Sequence, residues 1–299
     1  MHLAEGTLPL AHALGWSAVA VGPLVWSFWG SVGKRAPSTP ASSGDIPLAA
    51  ATSLLFAATL LPIPVPGLGA TSHLCLTPLL GVLLGVRAVL WPTFLVLLLQ
   101  ALFFAHGGIT TLGVNALTLG LLGPSVAVVV CAALRRAGVS GAWSLGAACV
   151  LGDLSVYLAD AGVLALALGG KDAMSGGAVF GAALLGFLPI QGPLALLEGA
   201  LSLGLARFLA RRKPKLIPAW LGLAASSAAC LALCACSYEG LDATVFGELA
   251  TQSGHPPTPS LLDWSEGELG LALNIIILFL AGFLAGQAYE RATDKQHGA

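Results

Sequence analysis

Long apolar runs divided by short polar breaks are the main feature of this sequence. A helix that crosses a bilayer needs about 20 mainly apolar residues. On that criterion the pattern predicts nine membrane-spanning helices, at about 10–30, 47–63, 73–86, 88–105, 111–134, 141–168, 177–209, 218–236 and 271–290. The predicted fold is therefore an all-α integral membrane protein, a multi-helix bundle of about nine transmembrane helices.

Basic residues give the predicted helices a direction, because Lys and Arg stay in cytoplasmic loops. With the N-terminus outside, twelve of the thirteen Lys and Arg residues fall inside and only Lys171 falls outside. The opposite orientation reverses this score. The loop 237–270 then lies outside, and it carries six carboxylates without any Lys or Arg. The pattern predicts an extracytoplasmic N-terminus and a cytoplasmic C-terminus.

Composition agrees with a membrane location and argues against other classes of protein. Hydrophobic residues make up 57% of the 299 residues and charged residues 9%, against about 25% charged residues in a soluble domain. The net charge of −1 argues against nucleic acid as a partner. The six cysteines lie almost wholly in apolar runs without C-x-x-C spacing, so we interpret them as small membrane residues. A redox or metal role for the close pair Cys234 and Cys236 is the alternative.

Polar side chains inside the predicted spans need a reason to be there, because their burial in a membrane is costly. A function is one reason, and a hydrogen bond or ion pair that holds helices together is the other. The residues concerned are His12, His73, His106, Asn115, Asp153, Asp160, Gln191 and Glu198.

The start of the chain offers the donors of a metal chelate. It lacks the basic region of a secretory signal peptide, so we expect it to be retained. The Met1 amine, with the backbone and ring nitrogens of His2, can form fused chelate rings around one metal ion. A further imidazole would complete a square plane, the geometry that favours Ni(II) or Cu(II). His73 is the candidate, because the predicted topology puts it on the N-terminal side of the membrane. The alternative is a His2 without any ligand role.

Several segments together resemble the CbiM/NikM family, the substrate-binding components of energy-coupling factor transporters for cobalt and nickel. The segments follow in order over residues 1–216: MHLAEGTLP, PVPGLGATSHLCLTPLLGVLLG, LLQALFFAHGGITTLGVNALTLGLLGP, LGDLSVYLADA and GPLALLEGALSLGLARFLARRKPKLI. The resemblance implies a seven-helix core in a prokaryotic cytoplasmic (inner) membrane. It also implies that Met1, His2 and His73 hold the metal.

Four further residues are candidates for supporting this site or receiving an arriving metal ion. Asn115 is predicted either to orient a ligand imidazole or to cap its loop. Glu5 is predicted to neutralise charge, to anchor the N-terminal loop, or to be a simple interfacial carboxylate. His106 stands where the family often has Asp, and Ser72 directly precedes the predicted ligand His73.

The last third of the chain, residues 217–299, resembles a second component. It is predicted to be a two-helix hairpin with an acidic outer loop, similar to the small N subunit of these transporters and here fused to the metal-binding part at 1–216. The stretch SYEGLDATVFGELA resembles the PDGLE signature of the nickel-type version, although it lacks the Pro. The hairpin therefore favours nickel over cobalt.

The predicted function is binding and transport rather than catalysis. Neither Gly-Lys pair of the sequence continues into a phosphate-binding loop. The resemblance therefore implies a transmembrane T subunit (CbiQ/NikQ-like) and cytoplasmic ATPase subunits (CbiO/NikO-like) as partners, with membrane lipid around the helices. It implies no cofactor beyond the transported Ni²⁺ or Co²⁺. The alternatives are an intramembrane metalloenzyme and a cation transporter or channel driven by an ion gradient.

Overall fold

Helices dominate the computed structural model, which describes residues 3–31, 45–60, 63–65, 70–104, 106–170, 174–212, 214–223 and 251–254. The α-helices are Leu10–Ser31 (α1), Asp45–Leu60 (α2), Thr77–Leu84 (α3), Val86–Phe103 (α4), Leu112–Asn115 (α5), Gly123–Arg136 (α6), Gly141–Leu168 (α7) and Gly176–Arg212 (α8). A π-helix at Ala116–Leu122 joins α5 to α6, and short 3-10 helices lie at Pro214–Leu216 and Ala219–Leu221.

Five stretches of the described residues are long and apolar enough to cross a membrane. They are Leu10–Gly30, Val86–Phe103, Leu112–Arg136, Gly141–Leu168 and Gly176–Arg212. Each of them overlaps one predicted span, and both ends of α7 agree with the prediction of 141–168. Helices of this length and composition identify a multi-pass membrane protein.

Two of the predicted spans form shorter helices, since α2 has 16 residues and α3 has 8. The helix α3 begins only after Leu76, whose φ of 52° lies in the left-handed region that side chains such as Leu rarely adopt. The chain therefore turns sharply where the apolar pattern predicts a helix from residue 73. The predicted spans 218–236 and 271–290 lie outside the described residues, apart from 218–223.

A short antiparallel ribbon precedes α3. It pairs Ile63–Val65 (β1) with Ala70–Ser72 (β2). Proline at every second position from 62 to 66 opposes a helix, whereas Ile and Val suit a strand. The ribbon adds to the predicted helical fold, and it leads the chain directly into His73.

The core of the bundle lies where α7 packs along α6 on one side and α8 on the other. The first described residues are part of it. Leu3 and Leu8 are buried in the same cluster as Leu119, Tyr157 and Phe187. The N-terminal segment is thus inserted among the helices, and its position is set by packing as well as by hydrogen bonds.

The exposed surface of α1 is apolar. Only 17% of the residues in the most apolar stretch of helix α1 are buried against the rest of the protein. Its large hydrophobic side chains are exposed, among them Leu10, Leu14, Val25, Trp26 and Trp29. Apolar surface of this extent is what a spanning helix presents to lipid.

Candidate metal centre

The backbone of Leu3 is held by two side chains from a segment more than 100 residues away. The Leu3 N–H donates to Asn115 Oδ1 at 2.8 Å, and Asn115 Nδ2 donates back to the Leu3 carbonyl at 3.0 Å. The Thr111 hydroxyl donates to the same carbonyl at 2.6 Å. Both backbone groups of Leu3 are therefore satisfied, and the residue that follows His2 is fixed in place.

The next turn of the chain is anchored by Glu5. Its Oε2 accepts hydrogen bonds from the backbone N–H groups of Ile109 and Thr110. The Gly6 N–H donates to the Thr110 hydroxyl at 3.3 Å. We call these contacts, together with those of Leu3, the N-terminal clamp: Leu3, Glu5 and Gly6 against Ile109, Thr110, Thr111 and Asn115.

Two glycines allow this close approach. A Cβ at Gly108 would lie 2.6 Å from the Glu5 Cα, and a Cβ at Gly113 would lie 2.5 Å from the Ser17 Cα of α1. Real Cβ atoms do not approach backbone atoms so closely, so any larger residue must displace the neighbouring chain. The Gly-rich stretch therefore lets the N-terminal segment and α1 lie directly on it.

Asn115 is predicted either to orient a ligand imidazole or to cap its loop, and within the described residues it bonds the backbone of Leu3. Its carboxamide bonds the Leu3 backbone, and its Nδ2 also donates to the Thr111 hydroxyl at 3.2 Å. The side chain is 1% exposed, so these bonds are shielded from water. Within the described residues, Asn115 positions the chain next to His2 and does not bond a histidine ring.

His73 and His106 lie side by side. Their ring centroids are 5.2 Å apart with the planes inclined at 66°. His73 follows β2 and is 3% exposed, and its Nδ1 lies 3.3 Å from the Leu74 carbonyl oxygen. The ribbon and the Gly-rich stretch thus bring two imidazoles together, although the sequence separates them by more than 30 residues.

Burial lowers the pKa of His73 well below its usual range, and the neighbouring His106 lowers it further. The physical cause is that a charged imidazolium loses its hydration inside the protein. His73 is therefore neutral at physiological pH. A neutral imidazole is the form that donates a nitrogen lone pair to a metal ion.

The predicted site residues are distributed as follows. Met1 and His2 lie outside the described residues. Ser72 is the last residue of β2. Glu5 and Asn115 contact each other's segments in the clamp, and His106 begins the stretch that carries the clamp and also touches His73. One short segment, 106–115, therefore contacts both the N-terminal segment and the predicted ligand His73.

Sequence reasoning missed the two threonines of the clamp. Thr110 and Thr111 supply hydroxyls to Gly6 and Leu3. Their only signal in the sequence is that they form an adjacent polar pair in the stretch HGGITTLG. Threonine is common in apolar helices, so such a pair does not by itself indicate a site.

A second set of polar residues lies deeper in the bundle. Both oxygens of Glu198 accept backbone N–H groups, from Cys75 at 2.7 Å and from Leu76 at 2.9 Å. Asp153 Oδ2 accepts from Gln191 Nε2 at 2.8 Å. We call Cys75, Asp153, Gln191 and Glu198 the interior cluster. The hydrogen-bonding role predicted for Asp153 and Glu198 agrees with these contacts.

Comparison with known proteins gives the family that the sequence motifs resemble, over most of the chain. The family described as "CbiM: Cobalt uptake substrate-specific transmembrane region" matches residues 2–216. A cobalt transport protein CbiM of Sorangium cellulosum is 37% identical over 218 residues, which cover 73% of this chain and 94% of that protein. A protein of the same name from Geobacter sulfurreducens is 30% identical over 99% of this chain and 92% of its own length.

Solved structures share the fold. One described as the crystal structure of a truncated transition metal transporter superposes with a TM-score of 0.59 at 22% sequence identity. It covers 71% of this chain and 99% of its own. A second structure of a transition metal transporter gives the same score and identity. The helical fold of this chain is therefore shared with these two structures.

Proposed function

This chain belongs to the CbiM family of cobalt-uptake substrate-specific transmembrane proteins, and from that premise we propose that it captures Ni²⁺ or Co²⁺ and passes the ion across the membrane. Its relatives are named as transport proteins, so its activity is transport and not catalysis. One observation carries the proposal. Asn115 and Thr111 fix Leu3 inside the bundle, and this places the residue that follows His2 beside a segment that also touches His73.

The proposed ligands are the amine of Met1, the backbone and ring nitrogens of His2, and the ring of His73. Four nitrogens in a plane favour Ni²⁺, and a fifth donor would accommodate Co²⁺. The chelate forms only when the amine and the amide lose their protons, so affinity rises with pH. The clamp supports this assignment because a chelate at a chain end requires an ordered backbone immediately after it.

His106 and Glu5 are proposed to assist the site. The His106 ring, 5.2 Å from that of His73, is placed to receive an arriving metal ion before His73 binds it. Glu5 anchors the N-terminal loop through the N–H groups of Ile109 and Thr110. Its charge also lowers the cost of bringing a dication to this end of the bundle. Ser72 joins the site through its place at the end of β2.

Energy for transport is proposed to come from partner proteins. The sequence has no phosphate-binding loop. We propose that a transmembrane T subunit (CbiQ/NikQ-like) and ATPase subunits (CbiO/NikO-like) complete an energy-coupling factor importer in a prokaryotic cytoplasmic membrane. The distribution of Lys and Arg supports an extracytoplasmic N-terminus and a cytoplasmic C-terminus.

The architecture proposed for the whole chain has about nine spans. Residues 1–216 form the seven-helix metal-binding component, and residues 217–299 form the fused two-helix hairpin. The alignment with the Geobacter relative, which extends over 99% of this chain, supports a layout shared along the full length. Since the relatives are named for cobalt and the hairpin resembles the nickel-type version, both metals are proposed substrates.

The test is the binding of Ni²⁺ and Co²⁺ to the purified full chain with its native N-terminus. Two variants accompany it: the chain with two residues added before Met1, and His73→Ala. Mutation of a residue that only supports a ligand weakens metal binding by about 10–100-fold. Loss of a direct ligand is expected to weaken it by more. Of these three proteins, only the native chain should show the yellow absorption of square-planar nickel.

His12→Ala is the matched control, because it removes a histidine of α1 that is not proposed as a ligand. It should bind like the native chain. Equal binding by the native chain, the extended chain and His73→Ala would show that the N-terminal chelate is not the site. The interior carboxylates would then be the remaining donors.

A further inference from the structure

Three buried side chains with metal-binding atoms meet near the middle of the bundle. Cys75 lies in the turn before α3, Asp153 lies in α7 and Glu198 lies in α8. All three are completely buried. The Cys75 sulfur and one oxygen of each carboxylate lie within 4.8 Å of one another. Three donor atoms at this spacing can bind one ion between them once the Cys75 thiol gives up its proton.

The charge of this cluster calls for a cation. Two carboxylates lie together at membrane depth, where an uncompensated charge is costly. Within the described part of the chain, no lysine or arginine side chain acts on either of them. The hydrogen-bond donors that face Asp153 and Glu198 are backbone N–H groups and an amide, which carry no full positive charge of their own.

The hydrogen bonds around the cluster orient its two carboxyl groups and do not use all of their oxygen lone pairs. Glu198 is oriented by the backbone N–H groups of Cys75 and Leu76, and Asp153 Oδ2 is oriented by Gln191. The other oxygen, Asp153 Oδ1, is buried and accepts no hydrogen bond from a nitrogen or oxygen donor, and the Cys75 thiol is a further hydrogen-bonding neighbour of the Asp153 carboxyl group. A wholly buried carboxylate oxygen without an N–H or O–H donor is rare in folded proteins. Its position next to a thiol and a second carboxylate indicates an ion-binding role.

The turn at Leu76 keeps Cys75 in this position. Leu76 has a φ of 52°, a conformation that costs about 1–2 kcal/mol for a residue with a side chain. The two N–H bonds to Glu198 span this turn and offset the cost, since bonds to charged groups are the stronger kind. Glu198 therefore serves both as an anchor for the turn and as a neighbour of the Cys75 sulfur.

We propose that Cys75, Asp153 and Glu198 form an internal binding site for a divalent first-row transition metal ion, separate from the N-terminal chelate. A thiolate among the donors selects Co²⁺, Ni²⁺ or Zn²⁺ over Mg²⁺ and Ca²⁺. Binding displaces the thiol proton of Cys75, and the dication compensates the two carboxylates. The site itself rests on this geometry alone and not on the proposed chelate.

The location of the cluster gives it a place in transport, and this part rests on the proposed function. Cys75 is two residues after His73, and it belongs to the turn that connects the ribbon to α3. An ion released inward by His73 meets the Cys75 sulfur next. The cluster would then be a second station for the ion, formed by residues from α7 and α8 near the middle of the bundle.

Co²⁺ is the probe for this site, because a cobalt ion bound to a thiolate has a charge-transfer absorption in the near ultraviolet that nitrogen and oxygen ligands do not give. We expect this absorption in the purified full chain and in Cys131→Ser, which removes another buried cysteine. The absorption should be lost in Cys75→Ser. In Asp153→Asn, the Co²⁺ affinity obtained by titrating this absorption should be at least about tenfold weaker. The absorption should persist in His73→Ala.

Each outcome decides the proposal. If the absorption is absent from the cobalt-saturated native chain, or survives in Cys75→Ser, the site is wrong. If His73→Ala removes it as well, the cluster is not a separate site. X-ray absorption of the cobalt-loaded native chain, which needs no variant, must show a sulfur neighbour. Absence of the square-planar nickel spectrum from the native chain itself, with this cobalt absorption present, would refute the proposed function and leave the internal site standing.

Discussion

The N-terminal clamp and the interior cluster both hold backbone groups with side chains, but at different electrostatic cost. In the clamp, the neutral groups of Asn115 and Thr111 bond Leu3, and Glu5 is partly exposed. In the cluster, the carboxylates of Asp153 and Glu198 are completely buried. A neutral hydrogen bond contributes about 0.5–1.5 kcal/mol, and one to a charged group about 1.5–3 kcal/mol.

This difference predicts that the two regions respond differently when a partner is removed. The neutral bonds to Leu3 are individually weaker than bonds to a buried charged group. The buried carboxylates of the cluster cannot lose their partners without leaving charge unsolvated in the bundle. We therefore expect changes in the cluster to act on stability, since the turn before α3 depends on it, and changes in the clamp to act on the metal affinity of the proposed site.

The largest effect is expected for Glu198→Ala. The substitution leaves the N–H groups of Cys75 and Leu76 without their acceptor, and two bonds to a charged group correspond to about 3–6 kcal/mol. The free energy of unfolding should fall by this amount, as measured by denaturant titration of tryptophan fluorescence in detergent. Glu198→Gln is the matched control, because it keeps one acceptor oxygen and should lose clearly less. Native-like stability of Glu198→Ala would remove the distinction between the two regions.

Asn115→Ala tests the clamp, and here the loss should be in metal affinity. It removes both bonds to the Leu3 backbone, so the chelating end of the chain loses its fixed position. We expect about 10–100-fold weaker Ni²⁺ binding, the range for residues that orient ligands. Isothermal titration of the purified chain measures it. Asn115→Asp keeps the acceptor for the Leu3 N–H, so its Ni²⁺ affinity should lie between those of the native chain and Asn115→Ala. An unchanged affinity would contradict the role of the clamp.

A smaller effect is expected for Gly108→Ala. The added Cβ would lie 2.6 Å from the Glu5 Cα, so the N-terminal segment must shift outward. A displacement of this size should lower the Ni²⁺ affinity about tenfold, which is about 1.4 kcal/mol. Gly15→Ala is the matched control, because no atom lies within 4 Å of a Cβ added there. Equal affinities of the two variants would show that the segment has room to adjust.

The sequence predicts the long helices well, and the physical reason is local. Spanning a bilayer needs an uninterrupted apolar run, and the run at 141–168 is one that α7 follows from end to end. The stretch from 63 to 84 is harder to predict, because its structure depends on pairing and on one strained residue. Strands of three residues leave little periodic signal, and the left-handed Leu76 is stabilised by Glu198 from a helix more than 100 residues away.

The two polar regions show the same limit. Asn115, Asp153 and Glu198 stand out in apolar sequence, so each is predicted to be special. Their partners are the backbone of Leu3, Gln191 and the backbone of Cys75, and only tertiary packing identifies them. From the sequence, Cys75 is predicted to be a small membrane residue like the other cysteines. Only the fold shows that two carboxyl groups lie next to it.

The smallest effect is expected for the pH dependence of stability near the clamp. His73 has a pKa lowered by burial, so the unfolded chain binds more protons than the folded one below about pH 6.5. Its contribution to stability is therefore present above this pH and is lost as the pH falls. The metal-free native chain should lose about 1 kcal/mol more than His73→Gln between about pH 7 and pH 5.5. Thermal unfolding at the two pH values measures this difference. If His73→Gln lost as much stability as the native chain, the effect of acid could not be assigned to this histidine.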